Sequence, residues 1–409
     1  MLVCSAPGRA QDAPPKAVLD AILPQLRTKL PATGLAFRTP ASGAKTDDAC
    51  RMQRVEMTTT FESVRRTFSV LVDPQRDATI KPKELLARIN RMTVDADGAL
   101  RAYHPDDPYG EGICRTVSRP DGNPAFEGVC ALDEFSNGGI RLFVGSKRAE
   151  KPSPGRPAAP GTPDLAQEWK TIWPLIRDRT LKPIDLTALA GPVAPEGRYL
   201  FYWKERNLTV FFSRYIIPQA RDGYPCVHGA ESRQPGYFVV ATTLNQAGPV
   251  RPDGCMPARY IDSEQVPFFV LPAPSLGHVE VGDIVVGQLT LGARTRIVYG
   301  IAADTGPFNQ IGEGSIAFNQ KLLGRSDLIM NLKALESVDI DLARLERAEG
   351  QQGTLAILVL GGTKQLLGGN YARDTVERVG REAFARWSGS AGGTRRLDAC
   401  IAQAVTNPH

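Results

Sequence analysis

Four histidines in 409 residues leave little material for a metal centre, and only His228 stands within five residues of a cysteine. None of the seven cysteines has CxxC spacing, so a zinc-knuckle fold is not expected. Basic residues nowhere gather into a run of five or six, and the net charge of +5 is mild for this length, so no nucleic-acid partner is expected. The longest apolar stretches, around Tyr237–Leu244 and Leu355–Leu360, fall far short of the ~20 residues of a membrane helix, and no membrane span is expected. Gly361-Gly-Thr-Lys364 lacks the GxxxxGK spacing of a phosphate loop, there is no GxSxG elbow, and no internal repeat is found.

What is present fits a globular chain. Hydrophobic residues make up 42 % and charged residues 23 %, enough for a sizeable core in one large domain or two to three smaller ones. The seven cysteines are Cys4, Cys50, Cys114, Cys130, Cys226, Cys255 and Cys400. The spacings Cys114/Cys130 and Cys226/Cys255 suit disulfides that close loops of moderate length. Met1–Ala10 looks like the tail of a secretory signal cleaved after Ala10, although no basic region or full apolar stretch precedes it. Its removal would leave an even six cysteines, and a secreted or periplasmic location is the expectation.

Apolar spacing predicts a helix over 16–30 with Pro24 as a kink, strand-like texture over 54–72, a helix over 164–179, helical character over 326–349 and an amphipathic helix over 371–387. In the second helix Trp169, Ile172, Trp173, Leu175 and Ile176 form the expected buried stripe. Between Gly197 and Ala317 the texture is almost all β, with the short runs YLFYW, LTVFF, GYFVVATT, VPFFVLP, DIVVGQL, RIVYGIA and SIAF, and TLAILVLG adds one more buried strand. Strands this short and frequent favour a closed barrel or a sandwich. Residues 151–163 (KPSPGRPAAPGTP) are a Pro/Gly-rich connector, and acidic residues outnumber basic ones between Asp95 and Glu134.

The densest candidate for chemistry is Tyr299–Phe318, where an apolar strand runs into Asp304 and Glu313 stands between Gly312 and Gly314. Glycines there permit positive φ and leave room for a bulky ligand. Two carboxylates at the ends of adjacent strands are what glycoside hydrolysis needs, one giving a proton to the leaving oxygen and the other activating water; the same residues would also serve to shape a turn. Asp262, in Tyr260-Ile-Asp-Ser, is either a supporting carboxylate or a strand-start residue, and Asp283 is expected to make a turn. Asp95-Ala-Asp97-Gly98 matches part of a calcium loop but lacks the third acidic position and the terminal Glu, so no metal is expected. His104, beside Tyr103, is a candidate for lining a site, whereas His228 and His278 have no partner at ligand spacing.

Four segments in order resemble the chitosanases of glycoside hydrolase family 75: MTVDADGALRAYHPDD (Met92–Asp107), YIDSEQVPFFVLP (Tyr260–Pro272), GDIVVGQL (Gly282–Leu289) and VYGIAADTGPFNQIGEGSIAF (Val298–Phe318). The resemblance implies endo-hydrolysis of β-1,4-linked glucosamine polymer with inversion, Glu313 as general acid and Asp304 as the base. Asp262, Tyr260 and His104 are the second-tier candidates for substrate binding, and no metal or organic cofactor is expected. The segment around Asp-Thr-Gly also looks like the signature of double-psi β-barrels, as in lytic transglycosylases and family 45 cellulases.

The expectation is therefore a mainly β fold, a double-psi-like β-barrel core with peripheral helices, α+β overall. The division expected is an N-terminal segment 1–80, a catalytic domain 81–362 with the insertion at 151–163, and a helical extension 363–409. Gly110–Phe143 also departs from the family pattern as an insertion. The charge of +5 suits a polycationic substrate poorly, although the acidic Asp95–Glu134 region offers a local field of the right sign. Two alternatives therefore stand: a peptidoglycan-cleaving glycosidase or lytic transglycosylase of the same barrel, and a non-catalytic glycan-binding envelope protein.

Overall fold

The computed structural model describes residues 14–26, 34–38, 49–61, 64–73, 83–101, 103, 115–118, 124–127, 129–135, 139–144, 165–184, 200–212, 220–229, 236–246, 255–273, 275–277, 279–306, 310–327, 335–389 and 394–407. In chain order the elements are α1 (Lys16–Leu26), β1 (Gly34–Arg38), β2 (Gln53–Phe61), β3 (Val64–Val72), β4 (Glu84–Ile89), β5 (Arg91–Asp95), β6 (Arg115–Ser118), β7 (Pro124–Glu127), β8 (Val129–Phe135), β9 (Gly139–Val144) and α2 (Leu165–Arg177). Next come β10 (Leu200–Trp203), β11 (Leu208–Phe212), β12 (Ala220–Arg221), β13 (Tyr224–Pro225), β14 (Phe268–Leu271), β15 (Ser275–Leu276), β16 (Val279–Glu280), β17 (Ile284–Leu291) and β18 (Arg294–Thr305). The chain ends with β19 (Glu313–Ser315), α3 (Ile316–Leu323), β20 (Ile340–Asp341), α4 (Leu342–Glu349), β21 (Gly353–Leu360), α5 (Arg373–Ser388), α6 (Arg395–Gln403) and β22 (Thr406–Asn407).

The chain forms two compact units, Met1–Lys29 with Tyr103–Val239, and Leu30–Ala102 with Val240–His409. The limits expected at 80/81 and 362/363 both fall inside the second unit, and the expected insertions lie in the first. In the first unit an antiparallel sheet runs β10-β11-β8-β9. Helix α2 buries Ile172, Trp173 and Ile176 of its expected stripe, and Trp173 meets Phe238 edge-on at 5.0 Å. The hairpin β12–β13 turns through Asp222-Gly223, both at positive φ, the backbone that a two-residue type I′ turn demands.

The second unit is built on a twelve-stranded mixed sheet with the order β1-β2-β3-β4-β21-β17-β18-β14-β19-β5-β20, and β22 beside β4. Pairs β14/β18, β19/β5 and β22/β4 are parallel and the other pairs antiparallel. Strands β17 and β21 are apolar and buried along nearly their whole length, because helices cover this part of the sheet. Phe318 of α3 packs so closely over Gly287 and Gly300 that a Cβ on either would lie within 3.0 Å of its ring. Strands β4 and β5 are separated by Asn90 alone, yet they stand six steps apart in the sheet order. The ladder thus leaves the chain at β4 and returns to it at β5.

Among the described residues no ladder joins the two ends of this sheet, so the architecture is a large mixed sheet with peripheral helices, mainly β as expected. Two local expectations are corrected. GYFVVATT forms no strand, only isolated bridges at Phe238 and Val240. SIAF is not a strand either, because the Ser315 hydroxyl accepts the Phe318 N–H and caps α3, an N-cap that outweighs β propensity. In 326–349 the described helical residues are Leu335, Glu336 and those of α4, which the short strand β20 precedes. Cys50 is bonded to Cys400, a pairing across 350 residues that the spacing did not suggest. Cys226 and Cys255 are also disulfide-bonded, which fits a secreted protein. Cys114 and the side chain of Cys130 lie outside the described residues. No described helix is long and apolar enough to cross a membrane.

Candidate functional site

Asp304 owes its position to an irregularity in a parallel ladder. Along β14 and β18, Phe269 faces Ala302 but the next residue, Val270, faces Asp304. Ala303 is the extra residue of a bulge, a device that re-aims the side chain after it. The carbonyl freed at Ala303 accepts the N–H of Leu244 at 2.8 Å, so the segment 242–244 is fastened alongside the bulge. Thr242 anchors that segment from within: its hydroxyl donates to the Leu244 carbonyl at 2.7 Å and accepts the Ile261 N–H at 3.0 Å.

Thr243 then meets the carboxylate. Its N–H and its hydroxyl both donate to Asp304 Oδ1, at 3.1 and 2.7 Å, and the Thr305 N–H adds a third bond at 2.6 Å. The Thr243 hydroxyl has spent its hydrogen on Asp304, so at 2.9 Å it accepts from Thr305. Asp304 Oδ2 is buried and has no hydrogen-bond partner among the described residues. The residue is only 6 % exposed, and burial lifts its carboxyl to about 6 against the three donors, which pull it down.

Glu313 opens β19, which pairs with β5 on one side and β14 on the other. Gly312 before it has φ +139, and a Cβ there would fall 2.5 Å from the Arg91 carbonyl, so the positive φ expected at this glycine is present. The space around Gly314 is filled by Asn319, Met92 and Phe318, so it serves the protein's own packing rather than a bulky ligand. Glu313 itself is half-buried. Its Oε2 lies 2.6 Å from where a Cβ on Gly306 would stand, two residues beyond Asp304. Strands β18 and β19 flank β14, so the two carboxylates rise from backbones two ladder steps apart, roughly 9–10 Å.

A third and a fourth carboxylate join them. Asp95 ends β5 opposite Ser315, is buried, and accepts the Asp97 N–H at Oδ1 at 2.8 Å. One oxygen from each of Asp95, Asp97 and Asp304 lies within 4.8 Å of the others. Burial pushes the Asp95 carboxyl well above its usual range, and the charges of Asp97, Asp304 and Glu313 push it further. Beneath this group Ser263 donates to the Asp95 carbonyl and accepts the Ile316 N–H, while Ser315 accepts from Phe268 and donates to Val266. These buried hydroxyls knit β5, β14 and the start of α3 into one support.

The remaining candidates are placed differently. Asp262 closes its own turn, accepting the Glu264 N–H at 2.9 Å and the Gln265 amide at 2.8 Å, with its carboxyl raised by burial to about 6. Beside it Glu264 is paired with Arg101 at 2.7 Å. Tyr260 is buried, with the Arg259 guanidinium 5.9 Å from its ring centre. Asp283 makes the expected turn, accepting from Thr363, Lys364 and Glu280. His104 and His278 lie outside the described residues. Thr243 escaped the sequence analysis altogether, since a threonine at the end of an apolar run carries no signal of the partner it meets. No protein-family model and no curated protein matches this chain.

Proposed function

We propose that this chain is an endo-acting glycoside hydrolase of amino-sugar polymers, with chitosan as the substrate and Asp304 and Glu313 as the catalytic pair. The observation that carries the proposal is their juxtaposition, with the Glu313 carboxylate against Gly306, two residues beyond Asp304. The ~6.5–9.5 Å between carboxyl groups that an inverting pair requires is compatible with strand backbones two ladder steps apart. Glu313, the more exposed member, is assigned the proton donated to the leaving oxygen. Asp304, held near 6 with one oxygen unbonded among the described residues, is assigned the activation of water, since a base works best when poised near the working pH. The return of the ladder from β4 to β5 across Asn90 supports a double-psi-like barrel as the underlying design. The disulfides support export to the secreted or periplasmic space, where such polymers are met.

The test is reducing-end release from soluble chitosan at mildly acid pH by wild type, Asp304→Asn and Glu313→Gln. Loss of ~10³-fold or more in both variants with folding intact is the expected result, and no release by wild type overturns the proposal. The raised carboxyl of Asp304 favours one second reading, a lytic transglycosylase acting on peptidoglycan with Asp304 as its single acid/base. That reading predicts anhydro-sugar products and tolerance of Glu313→Gln.

A further inference from the structure

Asp304 Oδ1 is saturated by three donors while Oδ2, equally buried, receives none among the described residues. An oxygen of a carboxylate only 6 % exposed pays a large desolvation cost if nothing answers it. The same carboxylate belongs to the group whose oxygens lie within 4.8 Å of one another, with Asp95 and Asp97 as the other members.

We propose that Asp95, Asp97 and Asp304 hold one hard divalent cation, Ca2+ in the first instance. Oxygens on opposite sides of a Ca2+ ion stand about 4.8 Å apart when each bond is about 2.4 Å, so the cluster admits a single ion between its members. The ligand set is all carboxylate oxygen, which selects hard ions over the softer transition metals. Asp97 is half-buried, and waters on that side complete the coordination shell. The loop is also built to hold its two ligands still: Gly98 turns at φ +75 with no room for a side chain, since a Cβ would lie 2.0 Å from the Ile261 carbonyl. Two ligands come from the Asp-Ala-Asp-Gly run and the third from a strand some two hundred residues later in the chain, which replaces the missing positions of a contiguous calcium loop.

The proposal does not depend on the hydrolytic reading. A cation on Oδ2 would occupy the oxygen assigned to water activation, so binding is measured apart from activity. The full chain is stripped with chelator and titrated with Ca2+, then Mg2+ and Mn2+, by calorimetry, with thermal melts in parallel. Expected are a one-site isotherm for Ca2+, a Tm raised by several degrees at saturation, and binding weakened at least tenfold in Asp97→Asn with its metal-free Tm unchanged. Absence of both heat and Tm shift with all three ions at millimolar concentration overturns the proposal. So does Ca2+ binding that is undiminished in both Asp97→Asn and Asp95→Asn, which would mark an adventitious ion only. Hydrolysis of chitosan enters neither outcome, so failure of the cation site and failure of the glycosidase proposal are separately visible.

Discussion

Thr243 gives two hydrogen bonds to a single oxygen of Asp304, one from its backbone and one from its hydroxyl, and so fixes which oxygen of that carboxylate is left open. A valine of the same shape would keep the backbone bond and lose the one from the hydroxyl. The orientation of Asp304 thereby rests on a residue that touches no substrate in the proposed reaction, a positioning role that can be separated from catalysis by its pH signature.

Thr243→Val removes the hydroxyl bond and keeps the backbone one. Since that bond lowers the Asp304 carboxyl, its loss raises the carboxyl further above about 6. A hydrogen bond to a charged group worth about 1.5 kcal/mol corresponds to about one pH unit. The acid limb of the kcat/KM profile for chitosan hydrolysis is expected to move up by about that much. An unmoved limb, with activity merely reduced, would assign Thr243 to packing alone.

Asp304 also makes the metal-free fold sensitive to pH. Its carboxyl sits at about 6 in the folded chain against an ordinary value of 3.8, so between these values the folded state keeps a proton that the unfolded state has lost. The contribution is fully present below 3.8 and is lost as pH rises through about 6. At about 1.4 kcal/mol per unit this amounts to a few kcal/mol. With chelator present, Asp304→Asn is expected to melt higher than wild type at about pH 7.5 and no higher at about pH 3.5. Parallel Tm curves for the two proteins would contradict the raised carboxyl.

Gly306→Ala probes the meeting of the two strands. The new methyl would lie 2.5 Å from Val270 Cγ1 and 2.6 Å from Glu313 Oε2, so the carboxylate must move. A shift of an ångström in a reacting group costs up to about 100-fold in rate. A fall in kcat of about 10- to 100-fold is expected, larger than the change in KM. Full activity would place the Glu313 carboxylate away from the reaction.

The Cys50–Cys400 bond ties the approach to β2 to helix α6 across 350 residues. Closing so long a loop in the unfolded chain stabilises by roughly 3–5 kcal/mol. Cys50→Ser is expected to lower Tm by several degrees and to remove most of the Tm response to reductant. A variant as stable as wild type would show that the adjoining packing of Cys400, Leu397 and Ile401 suffices by itself.

Much of the second unit was legible from local pattern. VPFFVLP, DIVVGQL, RIVYGIA and TLAILVLG became β14, β17, β18 and β21, and the segment at 371–387 became α5. Asp283 was read as a turn residue and is one. The errors came where a short-range preference met a competing bond: Ser315 turned SIAF into a capped helix, and the segment ending at Thr243 was taken up by the bulge at Ala303 instead of joining a sheet.

The sequence by itself determined which runs are apolar enough to be strands, which carboxylates stand at their ends, and that Asp95 and Asp97 share one turn around Gly98. These are properties of a few neighbouring residues, set by side-chain period, φ preference and burial. Only the tertiary structure decided that Asp304 meets Asp95 and Thr243, that its Oδ2 finds no donor among the described residues, and that Cys50 finds Cys400. Those contacts span tens to hundreds of residues, and their partners are chosen by strand order and register, which depend on how the whole sheet buries its apolar faces at once.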